Sequence, residues 1–133
     1  MEKADIKLLL VDDYKPDRIL FGISLRKLGY SQIEEAVDGQ DAINKARILL
    51  PNLILMDTQM PGMYGYDACR QIKQENYGKR IAIIGMSDSD DPNYPELWSQ
   101  ADADGFLNKE IFTSITFRET LDNRIQEALK KYQ

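Results

Sequence analysis

Leu53-Ile54-Leu55-Met56-Asp57 decides how this chain is read, because four apolar residues carry the backbone directly into a carboxylate. The same pattern recurs where Ile6 to Val11 runs into Asp12 and Asp13, and where Ile81 to Met86 runs into Ser87. Short apolar runs bounded by turn residues are the signature of strands buried on both faces, and such strands belong in parallel sheets. In an open parallel sheet the carboxyl ends of the strands share one edge, where ligands bind. Three carboxylates and a hydroxyl therefore converge on one crevice, and Lys109 joins them after the short run Gly105 to Leu107. Hard carboxylate oxygens suit a divalent cation, and an ammonium suits the oxygens of a phosphoryl group.

Between the runs lie amphipathic stretches of helical length, the alternation expected of an open α/β sheet. Pro16 and Asp17 favour a helix start, and Ile19, Leu20, Ile23 and Leu28 are its expected inward face, with Gly29-Tyr30 as its stop. Ile33 to Val37 reads as the second strand. Asp38 is placed to cap a second helix that turns Ala42, Ile43, Ala46 and Leu49 or Leu50 inward. A third helix is expected over Tyr66 to Gln74 and a short fourth over Glu96 to Gln100. The last carries Phe117, Leu121, Ile125 and Leu129, with Thr116 and Glu119 as its capping box. No repeat or linker interrupts the pattern, so residues 1–133 read as a single domain.

Composition narrows the function. The 133 residues carry a net charge of −5 and no histidine, which excludes Ser-His-Asp and Cys-His chemistry and imidazole-bound zinc. No basic cluster exceeds Lys130-Lys131, so direct nucleic-acid binding is not expected. No apolar run is long enough to span a bilayer, and the acidic amino terminus lacks the features of a signal peptide, which points to the cytoplasm. Cys69 is the one cysteine and reads as a small core residue.

For Asp57 to accept a phosphoryl group it must approach an anionic donor, which requires positive charge between them. Mg2+, with Mn2+ as an alternative ion, suits this because it binds few carboxylates and keeps positions for water and phosphate oxygens. Asp12 and Asp13 are the further ligands at hand. Lys109 would pair with a phosphate oxygen, and Ser87 would donate a hydrogen bond to it. Phe106 reads first as a core aromatic.

Together, Leu9 to Asp13, Ala36 to Ala42, Leu53 to Gly65 and Ala103 to Lys109 resemble the receiver domain of two-component response regulators. The resemblance implies a flavodoxin-like fold, a doubly wound five-stranded parallel sheet of order 2-1-3-4-5. It further implies that Asp57 takes phosphate from a phosphohistidine on a sensor histidine kinase or a histidine phosphotransfer protein. Asp13, Asp57 and the backbone carbonyl of Gln59 would hold Mg2+, with Asp12 acting through water. Ser87 and Phe106 would be the switch residues, and the output a shifted face of the fourth helix, fifth strand and fifth helix. Such a module phosphorylates itself and slowly loses the phosphate, and is not a turnover enzyme. Pairing of two copies through the last two βα elements is common in the family.

The sequence departs from that pattern in two places. Glu110 follows Lys109 where the family usually has a proline in a cis peptide, so the bond is either cis at a cost of about 3–4 kcal/mol or trans with Lys109 aimed differently. Asp88 stands where a small residue is usual and opens an acidic loop, Asp88 to Asp91, which reads as solvated. These departures favour an alternative, a receiver-like interaction scaffold with little or no phosphorylation. A strand-end aspartyl phosphohydrolase would need a second acid where Gln59 stands. A flavodoxin would need a phosphate loop where Asp12 and Asp13 stand.

Overall fold

Five runs become strands: β1 (Lys7–Val11), β2 (Gln32–Ala36), β3 (Leu53–Asp57), β4 (Ala82–Ser87) and β5 (Gly105–Asn108). In the computed structural model, which describes residues 1–114 and 118–133, they pair in parallel in the order β2-β1-β3-β4-β5. This is the expected flavodoxin-like order, with the chain reversing direction across the sheet between β1 and β3. The helices are α1 (Lys15–Lys27), α2 (Gly39–Leu49), α3 (Gly65–Gln74), α4 (Tyr94–Gln100) and α5 (Arg118–Lys130).

Alternation along each strand builds two cores. Leu8 and Leu10 of β1 and Leu53 and Leu55 of β3 pack with Phe21 and Leu25 of α1 and with Leu121, Ile125 and Leu129 of α5. Leu9, Val11, Ile54 and Met56 point the other way, against Ala42, Ile43 and Ala46 of α2, Ala68, Cys69 and Ile72 of α3, and Trp98 of α4. Cys69 is buried and free, as a core role requires.

The inward face expected for α1 is wrong. Ile19, Leu20 and Ile23 are exposed, while Phe21 and Leu25 are buried and Leu28 is packed at the core margin. This helix is apolar on two stripes, and the one headed by the aromatic ring takes the core. The caps fare better: the Asp38 side chain accepts a 2.8 Å bond from the Asp41 N–H, and Gly29, at φ +108°, follows the end of α1 in a conformation that side chains disfavour. Of Leu49 and Leu50, Leu49 packs at the margin of the second core, while Leu50 is half exposed and left-handed at the end of α2. Thr116 and Phe117, and with them the expected capping box, lie outside the described residues.

Candidate functional site

Register brings the acids together. Val11 pairs with Met56, so Asp12 and Asp57 leave adjacent strands at the same height. Asp57 pairs with Met86 and Ser87 with Asn108, which sets Ser87 and Lys109 one step further along the same edge. Oxygens of Asp12, Asp13 and Asp57 lie within 4.8 Å of one another. Asp12 and Asp57 are buried and Asp13 is exposed, so the cluster opens to solvent on one side. Gln59 lines the same depression as Asp13, with Met60, Pro61 and Tyr64, in a cavity of about 350 Å³.

The two buried carboxylates are held in place. Asp57 Oδ1 accepts the Thr58 N–H at 2.9 Å and lies 3.1 Å from Lys109 Nζ. Asp12 Oδ1 accepts the Tyr14 N–H at 2.9 Å, and its main-chain oxygen accepts from Arg18 Nη1 at 2.8 Å. The ammonium also reaches Asp12 Oδ2 at 2.8 Å and Asp17 Oδ2 at 3.1 Å. The buried Asp12 Oδ2 meets the ammonium as an ion pair and has no other polar partner. The Lys109–Glu110 peptide is trans, since no cis bond occurs among the described residues.

One cation faces three carboxylates, and the charges show the imbalance. Burial, and after it the charge of Asp12, pushes the Asp57 carboxyl up to about 7, against the pull of Lys109 and the Thr58 N–H. Burial also raises Asp12, opposed by Lys109 and the Tyr14 N–H. For Lys109 burial works downward, yet Asp12, Asp57 and Asp17 outweigh it, and its pKa is raised.

The floor of the site is packed tightly. Thr58 Oγ1 donates to Met86 O at 2.7 Å and accepts from Trp98 Nε1 at 2.9 Å. A Cβ on Gly65 would collide with the Asp57 carbonyl oxygen, and one on Gly85 with the Trp98 indole, so both positions need glycine for close approach. Ser87 is buried, and its Oγ accepts the Ser89 N–H at 2.9 Å. Phe106 is half-buried at the edge of the second core. Asp88 and Asp90 are exposed, as a solvated loop requires. The sequence reading gave no role to Thr58 or Trp98 and saw Asp17 only as a helix-start residue, and only the folded chain brings these side chains to the site.

The donor set fits a hard divalent ion: three clustered carboxylates, one of them with a buried oxygen that has no polar partner besides the ammonium. A doubly wound α/β fold with this acidic pocket and a lysine at its carboxyl edge places a cation-binding donor set where such sheets bind their ligands. The chain matches the response regulator receiver domain over residues 8–121 and belongs to that family. It is 36% identical over 104 residues to a gliding motility regulatory protein of Myxococcus xanthus, covering 78% of this chain and 13% of that protein. It is 32% identical over 108 residues to the response regulator GacA of Pseudomonas syringae pv. syringae (strain B728a), covering 78% and 48%. The chain thus spans about half or less of these relatives. Among solved structures, the chemotaxis response regulator CheY4 of Vibrio cholerae matches with a TM-score of 0.74 and 26% identity, over 90% of this chain and 98% of that one. Membership places the chain in two-component signal transduction. The acidic triad is typical of the family's Mg2+ site. Among the described residues, no helix is long and apolar enough to cross a membrane.

Proposed function

We propose that the chain accepts a phosphoryl group on Asp57 from a phosphohistidine of a sensor kinase or phosphotransfer protein, and that this changes the surface it offers a partner. The observation that carries the reading is Asp57 itself, buried at the strand edge between two further acids and 3.1 Å from the one ammonium of the site. An Asp57 oxygen attacks phosphorus, the nitrogen–phosphorus bond breaks, and the imidazole leaves with the electron pair and takes up a proton. Bound by Asp13, Asp57 and the Gln59 carbonyl, with Asp12 acting through water, Mg2+ would supply the positive charge that lets a carboxylate and an anionic phosphate approach. Lys109 compensates charge on the oxygens of the transferred group. Ser87 exchanges its bond from the Ser89 N–H for one to phosphate, drawing the loop after β4 inward. Phe106, half-buried, would turn inward as Ser87 moves, and the face of α4, β5 and α5 is the output. The buried, unpaired thiol of Cys69 suits a cytoplasmic setting.

The test is incubation with a small phosphodonor and Mg2+, read by intact mass. The native chain is expected to gain one phosphate and Asp57→Asn none. No phosphate on either points instead to the interaction scaffold that Glu110 and the acidic loop favour.

A further inference from the structure

We infer that Asp17, in the first turn of α1, is a positioning residue for Lys109 and so for the way the ammonium meets a phosphoryl group on Asp57. The inference rests on the phosphoacceptor reading. Lys109 starts from the far side of the sheet: β5 is separated from β1 by three strand spacings, roughly 14 Å, beyond the reach of a four-carbon side chain. Its Nζ nevertheless lies 2.8 Å from Asp12, at the end of β1. The Lys109 and Asp12 side chains therefore reach towards each other across the edge, and the chain leaves β5 at Lys109 directly into a 3-10 turn, Lys109–Phe112.

Nothing in the trans Lys109–Glu110 peptide dictates that course. The turn is capped by Asn108, whose Oδ1 accepts the Glu110 N–H at 2.9 Å, and is docked on one face of α1. Asp17, Phe21 and Ser24 follow at intervals of four and three, so they stack along one stripe. Asp17 Oδ2 takes the ammonium at 3.1 Å. The Phe21 ring lies 5.8 Å from the same Nζ and stacks on Phe112 at 4.1 Å. Ser24 Oγ donates to Phe112 O at 3.3 Å. Phe21 and Ser24 fix the turn, and Asp17 fixes the end of the side chain. Lys109 has three N–H groups and three carboxylates around it. When Asp57 carries phosphate, that contact passes to a phosphoryl oxygen, while Asp12 and Asp17 keep Nζ in place. Asp17 is thus a tether outside the acidic triad, in a chain without proline after the lysine.

The experiment compares the native chain, Asp17→Asn, Lys109→Ala and the double variant. Initial phosphorylation by a small donor at saturating Mg2+ is measured alongside acylation of Lys109 by an amine-reactive ester, followed by peptide mass spectrometry. Asp17→Asn is expected to slow phosphorylation roughly three- to tenfold, short of the roughly hundredfold that a 1 Å misplacement can cost because Asp12 still holds the ammonium, and to have no effect once Lys109 is alanine. Acylation of Lys109 should speed up several-fold while Lys73, buried and paired elsewhere, keeps its rate. Asp17→Glu, which retains the carboxylate, should restore most of the phosphorylation rate. An unchanged rate in Asp17→Asn, or equal slowing with and without Lys109, overturns the proposal. A native chain that takes no phosphate overturns the phosphoacceptor reading instead, and the acylation rates then decide the tether alone.

Discussion

Asp57 is a carboxylate that the fold discourages from ionising, and two measurable effects follow. Its pKa of about 7 stands above the ordinary 3.8 because burial and Asp12 outweigh Lys109. A metal needs the ionised form, so protons compete with it below pH 7. The apparent Mg2+ affinity is expected to fall about tenfold between pH 8 and pH 6, since the ionised fraction of such a group falls by that factor. Titration of Mg2+ into the protein at the two pH values checks this; equal affinities would show an ordinary carboxylate. In chelator, the folded state holds a proton between pH 4 and 7 that the unfolded chain has released, so stability declines as pH rises through that window. The melting temperature should therefore drop from pH 5 to pH 8 without metal, and Mg2+ should recover most of the loss at pH 8. The residues behind these effects were legible in the sequence because Asp12, Asp13 and Asp57 each end an apolar run. Asp17 was legible only as a helix-start residue, since its partner is 92 positions away.

At the scale of the element, α4 is tied to the site through Trp98, one of the two buried side chains of its seven residues. Trp98 is the protein's only tryptophan and is fully buried against Gly85 and Gly65. Its indole donates to Thr58, the residue after Asp57. Emission from Trp98 is therefore expected to change when Mg2+ binds, and Thr58→Val should reduce that response without removing metal binding; emission that ignores the metal would separate α4 from the site. Trp98→Phe keeps a ring and loses one hydrogen bond, worth about 1 kcal/mol, whereas Trp98→Ala leaves a cavity worth about 3–5 kcal/mol. Denaturant melts distinguish the two. The existence and order of the elements were legible, because apolar runs and amphipathic stretches alternate cleanly, and strand limits shifted by about a residue. The face of α1 was not legible, because Ile19 and Ile23 offer a second apolar stripe that only packing can reject. Lys73 was hidden in the same way, a charged residue on an amphipathic helix that turns out to be buried.

Across the whole molecule the two edges of the sheet divide the labour. The carboxyl edge carries excess negative charge, while the opposite edge is closed by paired polar groups. Tyr30 Oη donates to Asp122 at 2.6 Å, and Lys3 pairs with the same carboxylate at 2.7 Å. Beside the start of β4, Lys73 of α3 pairs with Asp104 at 3.0 Å and bonds the Ile81 carbonyl. Asp104 also accepts from the Ile83 N–H at 2.9 Å and from Tyr132 Oη at 2.7 Å, joining α3 to the residues after α5. Burial works to raise Asp104, but Tyr132, the Ile83 N–H and Lys73 together lower it. The stability it contributes is present above its unfolded value near 3.8 and is lost as pH falls through its lower folded value. Lys73→Met removes the buried partner of Asp104, which keeps Lys131 at 3.2 Å and the bonds from Tyr132 and the Ile83 N–H, so the expected cost in a denaturant melt is that of one charged hydrogen bond, about 1.5–3 kcal/mol. Because the folded carboxyl then rises, acid unfolding should begin at higher pH than in the native chain. The edges are separated by the length of a strand, roughly 17–20 Å, about two Debye lengths in physiological salt. Lys73→Met should therefore leave Mg2+ affinity and phosphorylation rate within about twofold of native, and a larger change in either would mean that the two edges are coupled through the packed core.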